Sequence, residues 1–159
     1  GLAYASEPAE EGTMSRPPRP PRQSPFANGR AVRMLWIGGM LGAVTLATQA
    51  LALAMNMDLA HWRSMVFTVL CFGQLGNALA LRSETQSVFH QGLLSNRPMA
   101  GAILFTVVLQ LATLYVPFLN PVFRTAPLSA GELGATAVAS VLVFIGVEIQ
   151  KWFGRRLSK

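Results

Sequence analysis

The chain has 159 residues, of which 52% are hydrophobic and only 13% charged, with 13 Lys and Arg against 7 Asp and Glu. Soluble domains carry roughly 25% charged residues, and the deficit argues against that class. A single Cys excludes an intramolecular disulfide framework and an all-Cys zinc centre, while two His and few acidic residues leave little for a metalloenzyme.

Residues 1–30 are rich in Pro and Arg, and the run PPRPPRQSP can neither form a helix nor donate backbone hydrogen bonds at its prolines, so an extended polyproline II loop is expected. It serves as a linker or as a stiff strap docking on an acidic surface. The chain opens on Gly1 and has no basic-then-apolar leader, so it is expected to begin inside a longer protein.

The remainder, 31–157, predicts an all-α membrane domain of four helices. Met34 to Met57 is a 24-residue run without charge, about 36 Å as a helix against a hydrocarbon core of about 30 Å. Between Arg63 and Arg82 lies an 18-residue uncharged run with Trp62 at its edge, and Pro98 to Phe123 is a third, of 26 residues. Tyr115, Pro117, Asn120 and Pro121 predict that the third helix ends between Val116 and Leu119. After TAPLSAGE a fourth apolar stretch reaches a basic end at Lys151, Trp152, Arg155 and Arg156. The expected spans are 33–56, 62–82, 98–119 and 130–153. Uncharged runs of this length exceed what one buried face of a soluble bundle needs.

Four spans put the head, the 82–97 loop and the tail on one side. That side holds eleven cationic residues and the other holds Arg63 and Arg124, so both ends of the chain are expected in the cytoplasm. The net charge of +6 is then explained by topology and anionic lipid, without nucleic acid.

Polar side chains inside a bilayer are costly and mark places to look for function. Gln74 and Asn77 lie three apart beside Gly73 and Gly76, and an amide oxygen suits a hard cation; an interhelical hydrogen bond is the plainer role. Gly38, Gly39 and Gly42 have the small-residue spacing of a close helix crossing. Thr45, Thr48 and Gln49 can bond back to their helix, and Gln110 and Ser140 read as interhelical ties. Glu148 and Lys151 predict an interfacial ion pair, and Cys71 a buried thiol. His61 and His90 fall on opposite sides. No nucleophile and base pairing, phosphate-cradling loop or cofactor motif is present.

The order of several short motifs resembles the C-terminal region, seventh to tenth membrane helices, of the type II P-type cation pumps, the family of the sarcoplasmic reticulum calcium ATPase. Met14–Arg19 (MSRPPR) resembles the loop before the seventh helix, and Ile37–Gly42 (IGGMLG) that helix's glycine face. Gln74–Leu79 (QLGNAL) with Arg82–Ser87 (RSETQS) resembles the eighth helix and its exit. Leu114–Leu119 (LYVPFL) resembles the outward end of the ninth, and Val147–Trp152 (VEIQKW) the end of the tenth.

This resemblance implies a support bundle of an ATP-driven pump that forms a phosphorylated aspartate, uses Mg-ATP and moves calcium or a similar cation. The phosphorylation and nucleotide-binding parts and most cation ligands would lie in the remaining membrane helices and cytoplasmic domains, its implied partners with the bilayer. It implies that Gln74 stands where the sarcoplasmic reticulum pump has a ligating glutamate, with Asn77 as support, and that Gly38, Gly39 and Gly42 pack on the long fifth helix. The cell membrane is the expected location. The competing expectation is a non-enzymatic four-helix scaffold or accessory subunit.

Overall fold

The computed structural model describes residues 30–80 and 96–157. The Pro/Arg-rich head, most of the 82–97 loop and His90 lie outside the described residues. Within them the chain is all helix, turn and loop: α1 Arg30–Ala54, α2 Leu59–Ala80, α3 Arg97–Tyr115, α4 Leu119–Phe123 and α5 Ala130–Leu157.

Local chemistry sets the helix ends. At the end of α1, Asn56 takes a left-handed conformation (φ 56°), a role open to Asn because its short side chain tolerates it. Asn56 N then donates to Leu53 O and Met57 N to Ala52 O, each at 3.0 Å, which satisfies two terminal carbonyls. Met57 packs against the buried cluster of Ala52, Met65, Leu114 and Leu128. The next residue, Asp58, opens α2: its Oδ2 accepts from Ala60 N at 3.1 Å, satisfying a first-turn donor.

Asn96 caps α3 by accepting from Met99 N at 2.9 Å, and Pro98 sits in the first turn where its missing donor costs nothing. The helix stops at Tyr115 rather than reaching 119, because Pro117 disfavours helical geometry at Val116. The five-residue α4 follows, ended by Arg124 in a left-handed conformation. Ser129 and Glu132 then form a reciprocal capping box for α5: Ser129 N donates to Glu132 Oε2 at 2.7 Å and Glu132 N to Ser129 Oγ at 3.3 Å.

Helices α1, α2 and α5 pack mutually, with α2 and α5 the most extensive pair, while α3 joins the bundle through α2. Two apolar clusters hold the ends. Ala52, Met65, Leu114 and Leu128 meet Met57, Trp62 and Leu133 at the end where the chain turns between helices, here termed the connection end. Ile37, Ala80 and Val147 meet Met40 and Phe144 at the opposite, open end. Elsewhere large apolar side chains face outward, among them Leu35, Trp36, Leu46, Leu104, Phe105 and Leu142, as expected where the solvent is lipid.

Among the described residues, three helices are long and apolar enough to cross a membrane: Ala31–Ala54, Arg97–Tyr115 and Ala130–Trp152. The expected second span is a helix of 22 residues but is not one of these three. His61, Arg63, Ser64, Thr68, Gln74 and Asn77 dilute its apolar character.

Candidate functional site

Helix α2 lies between α1, α3 and α5, so its faces define what the bundle offers. Gly73 is buried, and a Cβ there would stand 2.7 Å from Leu41 Cδ1 of α1; one at Gly76 would stand 3.4 Å from Phe144 Cβ of α5. The two glycines thus face the packed interior. Gln74, about 100° further round the helix, is exposed. Asn77 is half-buried, with its Oδ1 enclosed and lacking a hydrogen-bond partner. The structure therefore divides the set that sequence spacing had grouped: glycines inward, Gln74 outward, Asn77 between them.

An exposed amide oxygen is a hard donor, but calcium takes 6–8 oxygen ligands. Gln74 can supply one of these, so a site there needs groups from beyond this chain.

On α1, nothing stands within 4 Å of where a Cβ would sit at Gly38, Gly39 or Gly42. Among the described glycines the tightest approaches fall at Gly73 and at Gly146, whose missing Cβ leaves room for the Met40 thioether. The glycine face of α1 is left open.

A ladder of polar side chains ties the connection end, and sequence reading reached only part of it. Gln110 Nε2 of α3 donates to Thr68 Oγ1 of α2 at 3.1 Å. Thr68 Oγ1 donates to Ser64 O at 2.7 Å, and Ser64 Oγ accepts from Ala126 N at 2.8 Å. Asn120 Nδ2 reaches back to Leu114 O at 2.9 Å and Thr113 O at 3.1 Å, while Thr125 Oγ1 donates to Thr113 O at 2.5 Å. These bonds occupy carbonyls freed where α3 stops. The available signal was the Ser64 and Thr68 spacing, one helical turn apart, and Asn120 beside Pro121. Gln110 is the interhelical tie expected. Ser140 bonds mainly within α5, to Thr136 O at 2.8 Å, and lies 3.5 Å from Val69 O of α2. Thr45 and Thr48 bond back to Leu41 O and Val44 O as expected.

Toward the open end, Lys151 Nζ lies 2.9 Å from Glu148 Oε1, with side-chain exposures of 1% and 15%. The expected ion pair is present but buried, so its charges rely on each other and on neighbouring protein. At the connection end Asp58 pairs with His61. Desolvation pushes the Asp58 carboxyl upward, but the hydrogen bond and charge of His61, with the Ala60 and His61 backbone donors, hold it below the usual carboxylate range.

These features define a class: an integral membrane helical bundle, with an open amide and an open glycine face on separate helices. The chain belongs to the family of cation transporting ATPase C-termini, whose model, "Cation transporting ATPase, C-terminus", matches residues 1–153. It is similar to Calcium-transporting ATPase 1 of Yarrowia lipolytica, 33% identical over 153 residues that cover 92% of this chain and 16% of that protein. It is also similar to the human Calcium-transporting ATPase type 2C member 1, 33% identical over 153 residues, 96% of this chain and 17% of that protein. With the Calcium-transporting ATPase of Bacillus subtilis it shares 29% identity over 147 residues, 89% of this chain and 16% of that protein. The chain thus spans about one sixth of the length of these relatives. Family membership supports the membrane part of a cation pump, and not the alternative of an unrelated scaffold.

Proposed function

We propose that this chain is the C-terminal support bundle of an ATP-driven pump whose cargo is calcium or a similar cation, and that it contributes one side chain, Gln74, to the transport path. The relatives' names and the family support the pump. The observation that carries Gln74's role is its exposure on α2, away from the glycine face that packs on α1 and α5. A polar amide in an apolar setting needs a partner, and here that partner comes from the rest of the pump. Asn77 supports this stretch of α2 only once its enclosed, unpartnered Oδ1 finds a donor, which in this reading the rest of the pump supplies.

In this reading all four long helices span, with Leu59–Ala80 tolerated in the bilayer because its polar groups are bonded or turned to protein. Both ends of the chain are cytoplasmic, the connection end faces outward, and residues 1–30 form the linker into the bundle. The cell membrane is the host. Gly38, Gly39 and Gly42 pack on a membrane helix supplied by the pump. Mg-ATP binding, phosphorylation and most cation ligands belong to the parent's other parts.

The test is ATP-dependent uptake of calcium and manganese into vesicles bearing the complete encoded protein. An apparent cation affinity altered by Gln74→Ala or Gln74→Glu supports the transport-path role. Uptake indifferent to both leaves α2 as packing only.

A further inference from the structure

At the connection end, the Phe67 ring of α2 stacks on the Phe123 ring of α4, centroids 6.5 Å apart and 19° from parallel. The pair is not sealed into the core, since Phe67 is 38% and Phe123 49% exposed. An arginine stands near each of these residues along the chain. Arg63 is one helical turn before Phe67 and lies 5.8 Å from the Trp62 ring centroid, while Arg124 directly follows Phe123. Both arginines are exposed, and neither has an ion-pair partner among the described residues. The acidic groups described at this end are otherwise engaged: Asp58 with His61, and Glu132 in the α5 capping box. Phe118, 80% exposed, extends the apolar surface along the same connection.

Stacked aromatics with two exposed guanidiniums nearby, neither held in an ion pair among the described residues, match the chemistry of a phospholipid at its headgroup. Apolar Phe rings pack against acyl chains, and guanidiniums bind phosphate through paired donors. Arg124 also keeps its left-handed backbone, where Gly would be easier, by donating its N–H to Asn120 O. This fixes Arg124 at the exit of α4, next after Phe123 in the chain.

We propose that Arg63 and Arg124, with the Phe67 and Phe123 rings, form a binding site for an anionic phospholipid of the leaflet at the connection end. The phosphate sits with the guanidiniums and an acyl chain lies along the rings. The proposal rests on reading α2 as a membrane helix, but not on Gln74 or on pumping.

The experiment uses the complete encoded protein in nanodiscs of phosphatidylcholine containing a photoactivatable phosphatidylglycerol, with labelled peptides located by mass spectrometry. Labelling at α2 and α4 around Phe67 and Phe123 is expected. Its competition by unlabelled phosphatidylglycerol should weaken roughly fivefold for each arginine replaced in Arg63→Gln and Arg124→Gln, the weight of one basic residue at an anionic surface. The Arg63→Lys/Arg124→Lys variant, which keeps the charge, should retain much of the preference, and size-exclusion profiles report whether each variant is folded. Label absent from this patch means that another part of the protein covers it and overturns the proposal. Labelling with an unchanged preference for phosphatidylglycerol in the double Gln variant overturns it too. ATP-dependent uptake measured on the same samples separates the outcomes: lost pumping with intact labelling sinks the pump reading alone.

Discussion

Gln110 of α3 and Thr68 of α2, 42 residues apart in sequence, are joined by a buried side-chain hydrogen bond of 3.1 Å. Helix α3 has few other ties to the bundle beyond its own connection, so this bond orients it. Replacing Gln110 by Leu should cost about 1 kcal/mol, within the range of such bonds in membranes. Thr68→Val should cost a similar amount, and the double variant less than the two single costs added, since neither partner is left unpaired. Denaturant unfolding of the complete protein in bicelles gives the cycle. Strictly additive costs would show that the two side chains do not couple.

Gln74 should behave in the opposite way. Because its side chain is exposed within this chain, Gln74→Ala should change the stability of the bundle by less than about 0.5 kcal/mol. The same substitution should shift the apparent cation affinity of uptake by the complete protein. A large loss of stability without a change in affinity would assign Gln74 to packing.

The glycines separate into two groups with different predictions. A Cβ at Gly73 meets Leu41 Cδ1 at 2.7 Å, the end of a flexible side chain, so Gly73→Ala should be mild. Gly73→Val should overpack the contact and cost about 1–3 kcal/mol. A Cβ at Gly42 has nothing within 4 Å, yet Gly42→Val should lower the folded yield of the complete protein if that face is covered by another helix. Equal yields for Gly42→Val and wild type, measured by fluorescence-detected size exclusion, would leave the α1 face against lipid.

Asp58 adds a pH dependence with a definite sign. Its folded carboxyl lies below the ordinary value of about 3.9, so the stability it contributes is present above that value and lost as pH falls through the folded pKa. Asp58→Asn keeps a capping side chain but removes the charge facing His61. Wild type should therefore be the more stable protein at pH 5, and the difference should close on acidification below about pH 4. Thermal unfolding across that range checks it; a gap that widens on acidification would reverse the sign.

The helical elements were largely legible in the sequence. Uncharged runs between Arg33, Asp58, Arg63 and Arg97 mark the long helices, and Pro117 marks where α3 ends. The second helix was harder to class, because the polar residues that interest function also weaken its membrane signal. For the candidate site, spacing picked out Gln74 and Asn77 but could not say that one is open and the other enclosed. The Glu148 and Lys151 pair was readable from its three-residue spacing, whereas its burial was not.

The sequence by itself determined the helix lengths, their caps and the family, since these depend on local composition and on residues close along the chain. Ser129 with Glu132, and Asp58 before Leu59, carry their helix starts in a few positions. Only the tertiary structure decided which way each helix faces. The outer helices are apolar nearly all round, and in lipid an apolar surface need not be buried, so periodicity does not point to the core. Direction comes instead from where backbones come close and where polar groups find partners: Gly73 under Leu41, Gly76 against Phe144, and Gln110 on Thr68. Those contacts depend on the relative rotation of helices distant in sequence, and their packing leaves Gln74 and the α1 glycines on open faces of the bundle.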